Sequence, residues 1–456
     1  MSAFSPERLR AELEGVLSDA GAQPTGELVA LSGGLDSSVL LAALSKVRVR
    51  PLRAIHVDHG LQPDAALWSA HSVAMAAGCG VSCEVVRVNA SAAPGESPEA
   101  AARVARYAAL AGRLLPGEAL LTAHHGDDQL ETVLLQWLRG GGLRAVAGLR
   151  PVAPFAAGWR VRPLLGFTRN DLADWARGQG LEWLEDPSNA DPRFDRNFLR
   201  LEVLPVLRSR WPAAARTVGR VAAQAAEALD LEAILAAEDL AGLAAGDTLL
   251  LARLEHLPQS RQRLVLRAWL RARGIAPPPA ATLESLRRDM LAAAPQRIPE
   301  TRWPGAVVRR YRGRLYATQE SAAPQPWQAG SWSPGTEFSL GGHGRLALLP
   351  TTGDGLSRVR LPGLLTVTAR PPGASFRPAG GEHRRELRKW LQEQGVLPWQ
   401  RAALPCILAG DEVVAVGDLA CGGALAAAPG EPAWRVAWHG RPTLTEAEAL
   451  AGARRT

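Results

Sequence analysis

The sequence predicts an α/β protein: a doubly wound, Rossmann-like parallel sheet, then a helical middle domain and a small α+β C-terminal domain. Three observations carry this. Between residues 27 and 138, four short apolar runs each give way to a stretch of helical periodicity, an alternation that builds parallel sheets with right-handed crossovers. Polar, chemistry-bearing clusters close three of those runs, where such sheets bind ligands. Composition then turns Ala/Leu/Arg-rich with helical periodicity over 212–300, and mixes short strands with one helix towards the C-terminus. A chain of 456 residues exceeds one core. The boundaries expected are 1–210 (α/β), 211–318 (helical), 319–360 (linker and start of the C-terminal region) and 361–445 (α+β).

Taken in order, residues 1–20 form a helix with Leu9, Leu13 and Leu17 on one face. Strand Glu27–Leu31 leads into the helix behind Asp36, Leu52–Val57 into Asp64–Ala77, and Ala119–Ala123 into Asp127–Leu138. Val81–Val88 leads into Glu99–Leu115 after a Pro/Gly/Ser loop at 89–98. Arg162-Pro163-Leu164-Leu165, a helix at Thr168–Gln179 and the polar segment Glu185-Asp186-Pro187-Ser188-Asn189 complete the domain. A basic hairpin, Val307–Tyr316, closes the middle domain, and a Pro/Gly/Ser/Trp-rich linker covers roughly 319–337. The C-terminal part holds strands at Leu365–Ala369 and Glu412–Val416 and a helix at Arg384–Gln394.

Hydrophobic content of 47% and charged content of 21% describe an ordinary globular protein. No apolar run has the length of a membrane span, and the first residues lack a basic start with an apolar core, so a cytoplasmic location is expected. Cys79, Cys83, Cys406 and Cys421 are too scattered for a disulfide framework. The net charge of +7 leans toward a nucleic-acid partner. Scarcity of lysine (only Lys46 and Lys389) is better explained by a GC-rich coding sequence.

Ser32-Gly33-Gly34-Leu35-Asp36-Ser37 joins a buried strand to a helix. Glycines let the backbone turn tightly and approach a ligand, and the helix start favours an anion such as pyrophosphate. Asp36 would repel phosphate unless a divalent cation lay between, which implies Mg²⁺. No Gly-Lys-Ser/Thr ending follows, so γ-phosphate NTPase chemistry is disfavoured. His56-Val57-Asp58-His59-Gly60 ends the second strand, where this fold meets the base or ribose. His124-His125-Gly126-Asp127-Asp128-Gln129-Leu130-Glu131-Thr132 sits at the last strand end. That group could ligate a metal, hold a phosphate-bound Mg²⁺ or orient an amine nucleophile; alternatively Asp127 and Asp128 simply complement the helix dipole. One of Arg103 and Arg106 could stabilise charge on leaving pyrophosphate, and Arg103 is equally well a solvated basic residue.

The loop resembles that of the ATP pyrophosphatases (the PP-loop superfamily), which cleave ATP between its α and β phosphates. With His-Val-Asp-His-Gly-Leu, Ala-Arg-Tyr, Ala-His-His-Gly-Asp-Asp-Gln-Leu-Glu-Thr, Leu-Arg-Gly-Gly-Gly-Leu-Arg and Arg-Pro-Leu-Leu, the chain resembles the tRNA(Ile)-lysidine synthase family. Arg196-Asn197-Phe198-Leu199-Arg200, Phe376-Arg377-Pro378-Ala379-Gly380 and Leu387-Arg388-Lys389-Trp390 extend the likeness over nearly the whole chain. The resemblance implies ATP-dependent adenylation of C2 of the wobble cytidine in the CAU anticodon of tRNA(Ile). Attack by the ε-amine of L-lysine then gives lysidine, AMP and pyrophosphate. It implies that Ser32, Gly33, Gly34, Leu35, Asp36, Ser37, His56, Asp58 and His59 bind ATP, with Mg²⁺ on Asp36 through the phosphates. Arg106 and His124 would stand at the reacting centre and Asp128, with Asp127 and Glu131, would meet lysine. Arg139, Arg144, Arg196, Arg377, Arg388 and Lys389 would hold tRNA, and a homodimer is expected by analogy. Two departures stand out: Gly126, where the family commonly has Leu, is expected to loosen the helix start, and Asp58, where Asn is frequent, adds charge near the nucleotide.

A tRNA thiolase would share the adenylation step, but Cys79 and Cys83 have the wrong spacing for a sulfur-delivering pair. A glutamine-fed synthetase would need a glutaminase cysteine, and none is evident. A non-catalytic RNA-binding relative would be expected to have lost Asp36, His124 or Asp128, and all are present.

Overall fold

The computed structural model describes residues 4–58, 60, 65–89, 91, 98–186, 191–319 and 327–452. His59 and Pro187-Ser188-Asn189 lie outside them. The chain forms two compact units, Met1–Leu231 and Glu232–Thr456.

In the first unit, strands β1 (Glu27–Ala30), β2 (Leu52–Asp58), β3 (Cys83–Arg87), β4 (Ala119–Leu121), β5 (Val152–Phe155) and β6 (Gly158–Val161) form one sheet, in the order β3-β2-β1-β4-β6-β5. All pairings are parallel except the β5–β6 hairpin. The strand order reverses between β1 and β4, so the ligand crevice opens beyond their carboxyl ends. The predicted doubly wound sheet is borne out. The β5–β6 hairpin extends it by two strands; Gly158 is obligatory there, because a Cβ would lie 2.0 Å from Glu118 O.

Helices α1 (Pro6–Asp19), α2 (Leu35–Lys46), α3 (Ala65–Gly78), α4 (Pro98–Arg113), α5 (Gly126–Leu138), α6 (Leu143–Val146), α7 (Arg169–Gly178), α8 (Asp195–Phe198), α9 (Leu204–Arg210) and α10 (Ala214–Leu243) follow in chain order. Side chains alternate across a strand, which divides the core in two. On one face Val29, Leu31, Leu121 and Val161 pack with Leu9 and Leu13 of α1, Leu40 and Leu44 of α2, and Leu172 of α7. On the other, Leu28, Ile55 and Leu120 pack with Tyr107 and Leu110 of α4 and with Leu114 just after it. Several arginines serve this scaffold. The fully buried Glu27 accepts from Arg10 and Arg50, and Glu118 accepts from Arg53 Nε at 2.7 Å.

In the second unit, the predicted helices are present as the end of α10, α11 (Leu251–Leu254), α12 (Gln259–Ala272) and α13 (Ala280–Ala292). They cover an antiparallel sheet of β7 (Ala244–Ala245), β8 (Thr248–Leu250), β9 (Glu300–Trp303), β10 (Ala306–Tyr311) and β11 (Arg314–Gln319) that the composition did not announce. The predicted basic hairpin is β10–β11, turning on Arg312 (φ 46°) and Gly313 (φ 71°), the left-handed pair a two-residue hairpin needs. Towards the C-terminus, strands Leu365–Ala369 and Glu412–Val416 and helix Leu387–Glu393 match expectation. They belong to one seven-stranded sheet, beside a four-stranded one. Strands within 330–357, read from composition as linker and approach, are built into these sheets, with Trp332 in the core. No helix among the described residues is long and apolar enough to cross a membrane.

Candidate active site

β1 ends in a turn that hydrogen-bonds to itself. Ser37 Oγ donates to Gly34 O (3.1 Å), accepts from the Ser32 N–H (3.1 Å) and lies 3.0 Å from Ser32 Oγ. Gly33 has φ 84°, and a Cβ there would stand 3.0 Å from Ser72 Oγ and 3.4 Å from His71 and Trp68, so only glycine fits beneath α3. Gly34 begins α2, and no side chain caps that end. Its first-turn N–H groups are therefore positioned to receive an anion.

Asp36 stands in that first turn. Its Oδ2 lies 3.6 Å from His125 Nε2, while Oδ1 is buried without a hydrogen-bond partner. An unpaired carboxylate oxygen beside an uncapped helix start fits a cation that travels with phosphate. Among the described residues no cluster of three or more His, Cys, Asp or Glu could hold a metal by itself. The remaining ligands of a Mg²⁺ on Asp36 would thus be phosphate oxygens and water.

Of the other ATP candidates among the described residues, His56 supports the loop from behind. The buried His56 places Nδ1 2.9 Å from Leu31 O and 3.1 Å from Ser72 Oγ. Asp58 caps its own turn, Oδ1 accepting from Gly60 N–H at 2.9 Å, with Arg87 Nε 3.5 Å from Oδ2.

Across the crevice, His125 is the N-cap of α5. The Asp128 N–H points at its Nδ1 (3.4 Å), and Asp128 Oδ2 accepts from the His125 N–H (3.0 Å), a reciprocal capping box. That contact puts the ring proton on Nε2, which faces Asp36 Oδ2 and Asp128 Oδ2 (3.5 Å). Burial opposes charge on this imidazole, but the carboxylates of Asp128, Asp36 and Asp127 outweigh it and raise its pKa above the ordinary value. Gly126 does not loosen the helix start. Its N–H donates to Phe167 O (2.8 Å) and a Cβ would meet that oxygen at 3.0 Å, so the small residue lets α5 seat tightly.

Asp128 Oδ1 accepts from Arg196 Nη2 at 2.9 Å, with Arg200 Nη2 at 3.5 Å. Burial alone would raise its pKa, but His125 and Arg196 pull it below the usual carboxylate range, so it is ionised. Glu131 is wholly buried; Arg196 Nε (2.7 Å) and Arg200 Nε (2.9 Å) donate to its two oxygens. Asp127 accepts from Arg208 Nη2 and the Arg169 N–H, both at 2.7 Å. Asp127 and Glu131 therefore serve arginines and backbone in this conformation, while Asp128 also meets the His125 Nε2 that faces Asp36. Arg196, expected on tRNA, here clamps Asp128 to Glu131.

His124 is half-buried, its Nδ1 3.1 Å from Thr122 Oγ1. Burial pushes its pKa down to about 3 against the pull of Asp128, with Arg162, Arg196 and Arg106 acting in the same direction as burial. It is a neutral imidazole. Arg106 is exposed on α4, its guanidinium 5.5 Å from the Tyr107 ring.

The remaining tRNA candidates are divided between the two units. Arg139 pairs with Asp195 (2.7 Å), and Arg144 is exposed on α6. In the second unit Arg377 is half-buried, Arg388 is exposed, and Lys389 Nζ lies 3.4 Å from Glu386. Sequence reading missed the roles of His125, Arg200 and Arg208. The four-residue spacing of Arg196 and Arg200 was the available signal that both share a face. Burial raises the pKa of the Cys79 and Cys83 thiols, the opposite of what sulfur delivery needs.

Comparison with known proteins narrows the chemistry. Residues 7–207 match the model of the PP-loop domain, 249–316 that of the TilS substrate binding domain and 365–438 that of the TilS substrate C-terminal domain. The chain is 44% identical to the tRNA(Ile)-lysidine synthase of Methylococcus capsulatus, over 85% of this chain and 90% of that protein. It is 44% identical to that of Alkalilimnicola ehrlichii (94% and 96% covered) and 40% to that of Xanthomonas campestris (87% and 91%). With an ATP-type phosphate loop, a clamped carboxylate opposite it and likeness of this extent, the chain belongs to the tRNA(Ile)-lysidine synthase family.

Proposed function

We propose that the chain uses ATP to adenylate C2 of the wobble cytidine in the CAU anticodon of tRNA(Ile), then joins L-lysine there with release of AMP. The observation that carries this is the bridge across the crevice. His125 links Asp36, at the phosphate loop, to Asp128, a few ångströms away on α5. Activation and amine capture thus have adjoining carboxylates with separate duties.

The loop and the α2 N-terminus bind the triphosphate, and Asp36 would hold a Mg²⁺ that offsets its charge. Arg106 meets charge developing on pyrophosphate. His124, being neutral, offers a hydrogen bond near the base without adding a cation. The lysine ammonium displaces Arg196 from Asp128, whose carboxylate orients the amine and accepts its proton. Asp127 and Glu131 act through Arg208, Arg196 and Arg200, which release toward RNA as lysine enters. Arg139, Arg144, Arg377, Arg388 and Lys389 contribute phosphate contacts farther along the tRNA. A cytoplasmic homodimer completes this reading.

Labelled lysine, ATP and Mg²⁺ supplied with an unmodified CAU-bearing transcript test it, beside a transcript with uridine at the wobble position. Label on the first alone is expected. Label on neither, with AMP released only when sulfide or another amine is added, would assign a different nucleophile.

A further inference from the structure

Four arginines gather on the α4 face of the sheet, two strands away from the phosphate loop. Arg103 and Arg106 of α4 and Arg160 of β6 place their guanidiniums 5.1, 5.5 and 5.6 Å from the centre of one ring, Tyr107. Phe155 stands edge-on to that ring at 5.9 Å, with Arg160 6.0 Å from its centre. Arg162, two residues along the strand direction on the same face, is 3% exposed. Its Nη1 donates to Arg150 O at 2.6 Å, but its Nε has no partner, and neither does the buried Nε of Arg160.

The contrast with the rest of this unit is chemical. Arg10, Arg50, Arg53, Arg196, Arg200 and Arg208 are each matched to a carboxylate. Among the described residues, no carboxylate pairs with Arg103, Arg160 or Arg162. Burial and the neighbouring Arg160 and Arg103 lower the pKa of Arg162 to about 10. Arg162 and the half-buried Arg160 are cations drawn out of water side by side with no carboxylate partner among the described residues, which is costly unless a ligand supplies an anion. Planar guanidiniums with free N–H edges suit phosphate oxygens.

Position distinguishes which phosphate. The triphosphate has the uncapped start of α2, which packs on the opposite face of the sheet at β1, and of the four guanidiniums only that of Arg106 is assigned to it. The arginine cluster lies beyond β4, at β6, and connects to the reacting end through Thr122. The Thr122 N–H donates to Val161 O (3.0 Å), and its hydroxyl contacts His124, whose titration Arg162 influences. We propose that Arg160 and Arg162, with Arg103, form a phosphodiester site for the substrate RNA, anchoring the backbone beside the target base as it reaches His124. This rests on the tRNA reading above and assigns it a backbone subsite.

The test uses the full chain and three variants: Arg160→Gln, Arg162→Gln and Arg160→Lys. Affinity for the unmodified transcript is measured against salt without ATP, and affinity for Mg·ATP without RNA. Arg160→Gln is expected to weaken RNA binding about tenfold and to reduce the salt slope by about one phosphate contact. ATP affinity and lysine transfer at saturating RNA should be unchanged. Arg160→Lys, which keeps the charge, should restore most of the slope. Because Arg162 is buried, Arg162→Gln is judged only if its unfolding midpoint matches the parent, and the half-buried Arg160 pair decides otherwise. Weaker ATP binding with intact RNA binding would assign the cluster to the nucleotide and overturn the proposal. No change in either would reduce it to packing around Tyr107 and overturn it equally. Should the parent bind RNA but transfer no lysine while Arg160→Gln still lowers RNA affinity, the subsite stands and the lysidine reading falls.

Discussion

The phosphate loop and the start of α5 share one edge of one sheet and are built on opposite plans. The loop is local: hydroxyls and backbone groups of residues 32–37 satisfy one another, and one oxygen of its single carboxylate, Asp36, is left over. The α5 start is charged and assembled from afar. Its carboxylates meet guanidiniums 65 to 81 residues further along the chain. A self-satisfied loop keeps its N–H groups for a ligand that brings its own charge. A carboxylate already paired with arginine stays ionised and oriented while buried, and can exchange one cation for another. The first plan suits a nucleotide, the second an amine.

The largest expected effect separates the two directly. Asp36→Asn should reduce ATP-dependent AMP formation by about 100-fold or more. Its thermal midpoint should hold, since this side chain is 31% exposed and has no arginine partner to strand. Persistent AMP formation in that variant would deny the loop its role. Next comes Glu131→Gln, which leaves two guanidiniums without their buried anion. Urea titration should show a loss of about 3 kcal/mol, and KM for lysine should rise several-fold while KM for ATP stays. Unchanged stability would mean that Glu131 does not hold the clamp. Gly33→Ala is smaller and confined to the loop, costing about 1–2 kcal/mol for a left-handed backbone bearing a Cβ. It should raise KM for ATP and leave KM for lysine alone.

The smallest effect is in pH. The folded-state value of His124, about 3, lies below its ordinary 6.5. Its contribution to stability is therefore present above pH 6.5 and is lost as pH falls toward 3. His125, shifted upward, runs the other way: its contribution is present below pH 6.5 and is lost as pH rises through its folded value. His124→Gln should flatten the acid limb of the urea midpoint between pH 7.5 and 5; an unaltered limb would place the buried neutral imidazole elsewhere.

The same contrast explains what was legible in the sequence. Strand Glu27–Ala30, the glycine turn and α2 were readable because each is specified by adjacent residues, and so were β2 and α5, to within a residue at their ends. The partners of Asp128 and Glu131 were not, since no local pattern joins positions 65 or more residues apart. Arg196 was thus legible as a basic residue but not as the clamp that joins Asp128 to Glu131, and Gly126 was expected to loosen a helix that it seats. The β5–β6 hairpin escaped notice because its strands have four residues each and one of them carries the half-buried Arg160, with the buried Arg162 just beyond it. The sheet of the middle region includes strands of two and three residues, too short for periodicity to register. Residues near Trp332 have linker composition, yet that indole is 1% exposed, held by pairing with Leu365–Val367 rather than by its own segment.

The most direct test of the two-plan account follows both half-reactions in Asp128→Asn, with adenylated RNA trapped by omitting lysine and lysidine formation measured on adding it. Adenylation near the parental level with lysine transfer reduced about 100-fold is the predicted result. Equal loss of both steps would contradict the account, because Asp128 would then belong to the nucleotide side of the crevice.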